Sequence, residues 1–420
     1  MRALSWLGNL KRNERGNVLV VGAAALPLLL GAVAIGVDTV NLTLARRQLQ
    51  RTADSGALAG AYAIVQNQPV TAAVKRDLAL NKDHVVQTTT IENAPKAGSH
   101  LNDPLAVRVV LKATRKTPFM SFFNDRTPVI LVEATAAVAI NGRFCMVSLE
   151  EGNATGVTFT GSSVVDLGCG VATNSRATAA VSCGGSTTVI ASPVAAVGGV
   201  PACSGYASGT RLMPFTGKQK DPFAGLPLPD ISGMNCSAQI KVQPNDPVTT
   251  KQPGCYRDMD IKGAVNLAPG TYYIDGSQTG GAFSAGSQAV IKGTGVTIIL
   301  TSKTPTVSST IAGLSINGGA QLNLTAPKDG TYGGVLMYQD PRAAIGNTIQ
   351  INGNSATSYE GAFYFPKAYM TFNGTTGMKT ECLQLVGRRL TFSGNSHVAN
   401  TCPADGKAGD FAATFVRLVA

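Results

Sequence analysis

The chain has 420 residues, more than one compact hydrophobic core usually serves, so we expect two or more structural units. Its composition is 44% hydrophobic and 14% charged with 47 glycines, which is typical of β structure with tight turns and unlike an all-helical or disordered protein. The net charge is +11, but the basic residues are scattered singly, without the basic runs and interleaved aromatics of a nucleic-acid-binding face. Nucleic acid is therefore not an expected partner.

The first predicted element is a transmembrane helix over residues 16–38. No charged residue occurs from Asn17 to Val37, and a helix needs about 20 apolar residues to cross a bilayer. Residues 1–15 precede it, and the positive-inside rule places their basic side chains in the cytoplasm: Arg2, Lys11, Arg12 and Arg15. We expect a single-pass inner-membrane protein whose bulk is periplasmic or extracellular.

A cleaved signal peptide is the alternative, because Ala32-Val33-Ala34 matches the small-x-small pattern that signal peptidase cuts. The apolar run is long for a signal peptide, however, and the helix is predicted to continue as an amphipathic segment over residues 39–67. Apolar residues recur there every three or four positions, as one helix face requires: Leu42, Ala45, Leu49, Ala53, Ala57, Ala61 and Val65.

Part of this face is made of small residues, which would let another helix approach closely. We therefore predict a helix-partner face. The alternative is that the same face packs on the protein's own following strands. The face consists of Ala53, Gly56, Ala57, Gly60 and Ala61.

The N-terminal sequence closely resembles the TadE/TadG-like proteins of the Tad (tight adherence, Flp-type) pilus assembly system over about residues 15 to 65. The resemblance implies a membrane or periplasmic accessory or minor-pilin-like component of a pilus machine, with other pilus-assembly or pilin-like proteins as partners. The residues that carry it are Arg15-Gly16-Asn17, Leu26-Pro27, Gly36-Val37-Asp38 and Arg46-Arg47-Gln48-Leu49-Gln50-Arg51-Thr52-Ala53-Asp54-Ser55-Gly56-Ala57-Leu58-Ala59.

Two features depart from related proteins. A pilin-type leader has Glu five residues after the glycine, where this chain has Val21, so processing by a prepilin peptidase is not expected. Many TadG-like proteins contain a von Willebrand A domain with an Asp-x-Ser-x-Ser metal loop, which this sequence lacks. The chain is therefore similar to TadG-like proteins with a glycine-rich C-terminal region, and we expect no metal site and no cofactor.

Residues 68–141 predict a small α+β unit, similar in outline to a pilin. Two runs rich in β-branched and aliphatic residues, Leu105 to Ala113 and Val129 to Ile140, are bounded by prolines and indicate strands. His84 and His100 lie in polar sequence without ligand-spaced partners, so we interpret both as solvated.

Eight cysteines, all beyond Phe144 and without a Cys-x-x-Cys motif, indicate disulfides formed after export and not a zinc or redox centre. Many connectivities are open from the sequence alone. If the cysteines pair in chain order, the two partners of every pair are separated by a similar number of residues, which favours this pairing: Cys145 with Cys169, Cys183 with Cys203, Cys236 with Cys255, and Cys382 with Cys402.

Residues 142–410 predict a right-handed parallel β-helix, a β-solenoid, followed by a C-terminal tail over 411–420. Short β-rich runs are broken by Gly and Asn, and an apolar-x-Gly motif recurs, as solenoid coils require. A β-sandwich is the alternative. The stretch Asp221 to Pro229 is predicted to be a loop crossing the outside. The motif apolar residues are Phe159, Ile261, Ile291, Ile316, Ile351, Phe372 and Phe392.

The solenoid class also includes carbohydrate-active enzymes, so Asp258 and Asp260 are candidate acid/base or calcium-binding residues. One pair is not a cluster, and the sequence has no serine nucleophile elbow, His-Glu-x-x-His or phosphate-binding loop. We therefore expect a structural pilus-assembly component and not an enzyme. The alternatives are a carbohydrate-binding or carbohydrate-active protein contacting envelope polysaccharide, and a secreted adhesin. The aromatics for sugar stacking would be Tyr272, Tyr273, Tyr364 and Tyr369.

Overall fold

The computed structural model describes residues 17–81, 86–98, 100–122, 127–277, 281–352, 356–375, 378–395, 397–400 and 411–419. The chain divides into two compact units. Unit one comprises Met1–Ala139 and Val416–Ala420, and unit two comprises Ile140–Phe415. The predicted order of an N-terminal apolar helix followed by a mostly β body is confirmed.

Unit one begins with helix α1 (Asn17–Val65), and a second helix, α2 (Val70–Leu80), follows. The transmembrane and amphipathic segments that the sequence separates at residue 38 form one continuous helix. Pro27 lies inside it, where proline removes one backbone hydrogen bond.

Three antiparallel strands complete unit one: β1 (Val86–Asn93), β2 (Ala106–Thr114) and the first part of β3 (Val129–Ser148). β2 lies in the centre, with Val110 opposite both Thr90 and Glu133. A short 3-10 helix, Met120–Phe122, lies between β2 and β3.

The chain end is not the expected tail. Residues Phe411–Leu418 form strand β27, and the amide of Val419 donates a hydrogen bond to the carbonyl of Thr135 in unit one.

Unit two is built from parallel strands in three ladders, in which most short strands pair with the strand three further along the chain. Two long strands, β24 (Ser358–Thr375) and β25 (Met378–Asn395), contribute to all three ladders. The first ladder also contains β4 (Val157–Phe159), β7 (Val181–Cys183), β11 (Gln239–Val242), β14 (Asp258–Ile261), β17 (Ala282–Ala285), β20 (Gly313–Ile316) and β23 (Thr348–Ile351).

The remaining strands form the other two ladders. The second ladder contains β5 (Val164–Asp166), β8 (Thr188–Ile190), β12 (Thr249–Lys251), β15 (Ala264–Leu267), β18 (Val290–Gly293), β21 (Gln321–Thr325) and β26 (His397–Asn400). The third ladder contains the end of β3 with β6 (Gly170–Thr173), β9 (Val194–Ala196), β10 (Leu212–Met213), β13 (Gly254–Tyr256), β16 (Gly270–Asp275), β19 (Val296–Thr301) and β22 (Val335–Gln339).

The order of strands in the ladders differs from their order in the chain. Read from the end that contains β11, β12 and β13, the ladders first contain strands of residues 239–400. They then continue into strands of residues 144–213. β25 pairs with both β3 and β4, and β26 pairs with β5. The chain therefore enters unit two in the middle of the ladders, and we call the junction of β25 and β26 with β3, β4 and β5 the seam.

The apolar-x-Gly motif marks one register position of the first ladder. Ile351 pairs with Phe372, Phe372 with Phe392, and Phe392 with Phe159, and all four side chains are buried. Ile291 is the exception, because it lies in the second ladder. Gly161, two residues after Phe159, has a positive φ. A Cβ on Gly161 would lie 2.8 Å from the backbone carbonyl oxygen of Gly394 in the neighbouring turn. The turns that follow adjacent strands of the first ladder can therefore stack on each other only if this position is glycine.

Residues 214–238, which connect β10 to β11, form a strap along the outer face of the third ladder. The amide of Thr216 donates to Ala196 in β9, and the Tyr364 hydroxyl in β24 donates to Asp221 at 2.8 Å. Further along, the Tyr332 hydroxyl donates to the Pro227 carbonyl. The strap thus returns the chain from one end of the ladders to the other, and it contains Asp221 to Pro229, which was predicted to be a loop crossing the outside.

Candidate functional site

The first part of α1 exposes a continuous apolar surface. By length and composition, α1 is the one helix among the described residues that could cross a membrane, and none of its most apolar 18-residue window is buried. Membrane anchors and signal sequences share these properties. The exposed residues include Val20, Val21, Leu26, Leu28, Leu29, Leu30, Val33 and Ile35.

The second part of α1 is packed inside unit one. Side chains one helical turn apart are buried against β2 and β3, because the inward face of β2 offers the apolar side chains of Val107, Val109 and Leu111. The buried helix residues are Ala45, Leu49, Ala53, Ala57 and Ala61.

The small-residue face that we predicted for a partner helix is covered by the protein itself. A Cβ on Gly60 would lie 2.7 Å from Val107 of β2 and 2.9 Å from Val74 of α2, and one on Gly56 would lie 3.2 Å from Leu78. The glycines therefore let α2 and β2 approach α1 closely. Along this stretch the alternative, packing on the protein's own elements, describes the structure, and the helix that approaches the face is α2.

Asp38 is the first residue with a buried side chain along the described part of α1. Its carboxylate is buried and accepts hydrogen bonds from the backbone amides of Met120, at 2.6 Å, and Phe119, at 3.4 Å. This role of Asp38 was not predictable from the sequence, because the residues that it binds lie 81 and 82 positions further along the chain.

The candidate acidic pair lies on the outward face of β14, since Met259 and Ile261 take the inward positions. Gln239 donates to Asp258 at 2.7 Å, and Lys262 lies 3.4 Å from Asp260. Each carboxylate therefore has its own neighbouring partner. Among the described residues no group of three or more His, Cys, Asp or Glu could hold a metal ion.

The four candidate tyrosines have different environments. Tyr272 and Tyr364 are buried, Tyr273 is half-buried, and the Tyr369 ring lies 4.4 Å from the Arg389 guanidinium. Burial raises the pKa of the Tyr272 hydroxyl to about 12, and this hydroxyl lies 2.8 Å from two backbone carbonyls. Neither Tyr272 nor Tyr364 presents a ring face on which a sugar could stack.

Of the histidines, His100 has a partner that the sequence did not indicate, because its Nδ1 lies 2.9 Å from the Asp103 carboxylate. Asp103 also accepts the amide of Leu105, so the pair closes the turn between β1 and β2. His84 and the side chain of His397 lie outside the described residues.

Three of the four predicted disulfides are present: Cys145 with Cys169, Cys183 with Cys203, and Cys236 with Cys255. The second joins β7 to the segment after β9, and the third joins the end of the strap to β13. Cys402 and the side chain of Cys382 lie outside the described residues, so the fourth pair stays a prediction.

A buried ion-pair cluster lies at the seam. The carboxylate of Glu150 accepts hydrogen bonds from Arg388 at 3.1 and 3.2 Å, from Arg389 at 2.8 Å and from the Gly152 amide at 2.8 Å. Burial raises the pKa of the Glu150 carboxyl, but the Gly152 hydrogen bond and the two guanidinium groups outweigh burial, so the pKa is lowered.

Comparison with known proteins identifies one segment of the chain. Residues 16–63 match the family model described as putative Flp pilus-assembly TadE/G-like. The curated proteins contain no significant match, and neither do the solved structures. The matched residues cover nearly all of α1, from its exposed apolar part to its buried stripe. The helix that unit one packs around is therefore similar to the TadE/G-like segment of Flp pilus-assembly proteins.

Proposed function

We propose that the protein is a membrane-anchored structural component of a Tad/Flp-type pilus assembly system that acts through contacts with other pilus-assembly or pilin-like proteins. The observation that carries the proposal is the coincidence of the TadE/G-like match over residues 16–63 with a helix whose first part exposes only apolar side chains. In water that surface would be costly, at about 25 cal/mol for each Å².

The proposal places the bulk of the chain outside the cytoplasm, in the periplasm or beyond it. Basic residues precede the apolar helix, and three disulfides occur in unit two, which favours an oxidising compartment. The same orientation puts the pilus machinery within reach of unit two.

Unit two is proposed to be a right-handed parallel β-helix. The pairing of most strands with the strand three further on supports three strands per coil, and parallel crossover connections are right-handed in nearly all known proteins. Such a body presents a rigid surface, and we propose no catalytic step for it. The buried positions of Tyr272 and Tyr364 give no support to a carbohydrate site.

A deletion strain tests the function. We expect loss of surface pili and of adherence on deletion, with both restored by the wild-type gene. Complementation with Leu29→Arg should fail, because a charge at the centre of a membrane helix costs about 3 kcal/mol. Leu80→Arg is the matched control, since Leu80 is exposed on α2. Normal piliation and adherence in the deletion strain would contradict the proposal.

A further inference from the structure

We infer that a surface formed by the end of β2, the residues just after it up to Met120, and the start of β3 is a second membrane contact, which lies in the headgroup region of an anionic phospholipid bilayer. The inference rests on the proposed anchoring by α1 and adds a surface to it. We call this surface the membrane-contact loop. It consists of Lys112, Arg115, Lys116, Phe119, Met120, Val129 and Leu131.

The position of the loop follows from Asp38. The carboxylate of Asp38 holds the backbone amides of Phe119 and Met120 against α1. From Asn17 to Asp38 the helix rises about 32 Å at 1.5 Å per residue, close to the roughly 30 Å hydrocarbon thickness of a bilayer. Phe119 and Met120 are therefore fixed at the level of Asp38, where the uncharged run of α1 ends.

The direction of β2 supports the same placement. Gly60, far along α1, lies beside Val107 at the start of β2, whereas Asp38 lies beside Phe119, just after its end. β2 therefore runs antiparallel to α1. The turn between β1 and β2, which contains Leu101, lies at the opposite end of unit one.

The exposed side chains of the loop suit a lipid surface. Phe119 and Met120 are 42% and 48% exposed, and Val129 and Leu131 at the start of β3 are 55% and 59% exposed. Single exposed apolar residues are ordinary on protein surfaces, whereas these four lie at the same end of unit one.

Basic residues accompany this apolar patch. Lys112, Arg115 and Lys116 are exposed, and Lys112 is opposite Leu131 in the β2–β3 register. Basic residues close to an anionic membrane are attracted to its negative surface potential. Apolar side chains that reach the acyl boundary, with basic side chains at the phosphates, are the composition of interfacial membrane contacts.

Tryptophan fluorescence of the full chain in vesicles tests the inference. The chain contains one tryptophan, Trp6, so Trp6→Phe provides a silent background for Phe119→Trp. The vesicles contain phosphatidylglycerol and phosphatidylcholine brominated at a shallow acyl position. The matched control is Leu101→Trp, because Leu101 is 57% exposed at the other end of the same unit.

We expect the indole of Phe119→Trp to emit at shorter wavelength and to be quenched severalfold more than that of Leu101→Trp. Met120→Trp should behave like Phe119→Trp, which guards against a variant that fails to fold. Combined Lys112→Gln, Arg115→Gln and Lys116→Gln substitutions should lower the quenching in anionic vesicles to its level in pure phosphatidylcholine.

Flotation of the vesicles separates the two claims. If the chain floats with the vesicles and the indoles at positions 119 and 120 are quenched no more than the one at 101, the membrane-contact loop is overturned while anchoring by α1 stands. The exposed apolar residues would then be available to contact a protein partner and not lipid. If the chain does not float at all, both the anchor and the loop are overturned.

Discussion

Glu150 and its partners show how single residues hold the seam. Glu150 lies shortly after β3, and Arg388 and Arg389, more than 230 residues away in the chain, lie in β25. The carboxylate is 2% exposed, whereas the two arginine side chains are 24% and 32% exposed. A buried carboxylate with several charge-assisted hydrogen bonds stabilises the pairing, and losing part of the set leaves buried groups without partners.

Glu150→Gln should lower the free energy of unfolding of unit two by about 1–3 kcal/mol, because the amide cannot satisfy two guanidinium groups. Urea titration of the oxidised full chain measures the change. The control is Glu151→Gln, which removes an exposed ion pair with Lys218 and should cost less than about 1 kcal/mol. Equal effects of the two substitutions would contradict the role of Glu150.

The same residue predicts a pH dependence. The Glu150 pKa is lower in the folded protein than its usual value, so its stabilisation is present above about pH 4.3 and is lost as the pH falls through the folded pKa. The stability difference between wild type and Glu150→Gln should therefore shrink as the pH is lowered from 7 to about 3. A stability difference that grows as the pH is lowered would contradict the predicted direction.

At this scale, the sequence predicted some contacts and could not predict others. Three cysteine pairs followed from spacing, because the partners lie about 20 residues apart. The partners of Glu150 and Asp38 had no local signal, because they are brought together only when ladders or a sheet form. The small-residue stripe of α1 was recognisable, but whether its partner was internal depended on α2, which the sequence analysis did not predict.

Helix α1 is the element around which unit one is packed. Gly60→Val should destabilise unit one by about 1–3 kcal/mol, because the added side chain would overlap Val107 and Val74 in a filled core. Thermal unfolding and limited proteolysis of the reconstituted chain measure this. Gly36→Val is the control, since a Cβ there meets nothing within 4 Å. Comparable loss in both variants would mean that the close approach at Gly60 is unimportant.

The strap is held by a buried carboxylate and an arginine. Asp340 is fully buried and accepts both Nε and an Nη of Arg342 at 2.9 and 2.7 Å, and Arg342 in turn donates to the Pro229 carbonyl of the strap. Arg342→Ala should destabilise unit two by roughly 3 kcal/mol, because it leaves the Asp340 charge buried without its cation.

Proteolysis within residues 221–231 should also become faster in Arg342→Ala, because the strap loses a hydrogen bond. Arg257→Ala is the control, since the Arg257 side chain is hydrogen-bonded to the exposed Gln239 side chain, and the substitution keeps the backbone amide that donates to Ala238 at the end of the strap. If cleavage of the strap is unchanged in Arg342→Ala, the fastening role assigned to this arginine fails.

At the scale of elements, the sequence predicted strands and turns better than their partners. Alternating Val296, Ile298 and Leu300 are all buried in the core of unit two, as their period of two indicated. The helix α2 and the strand formed by Phe411–Leu418 escaped notice, because short runs of Ala, Val and Phe carry little periodic signal.

The whole of unit two has a strand order that no local pattern reveals. Its ladders run through residues 239–400 and then continue into residues 144–213, with the strap returning the chain between the two ends. The sequence indicated repeats of about one coil, but it did not indicate that the earliest repeats stack on the latest.

Engineered cysteines test this order. Thr158 is opposite Thr391 in the parallel pair β4–β25, and Thr391 is opposite Thr371. Thr158→Cys with Thr391→Cys should form a disulfide on oxidation, because adjacent strands lie about 4.8 Å apart. Thr158→Cys with Thr371→Cys should not, since two rungs exceed the roughly 7 Å limit. Peptide mapping by mass spectrometry reads both outcomes, and a cross-link only in the second pair would refute the order.

The central claim is that α1 remains in the inner membrane and anchors the protein there. The most direct measurement is fractionation of cells expressing the full chain, followed by N-terminal sequencing of the mature protein. We predict that the inner-membrane fraction contains a chain that retains residues 17–38. A mature chain that begins near Ile35 and is released from the membrane would contradict the account and favour a secreted binding protein.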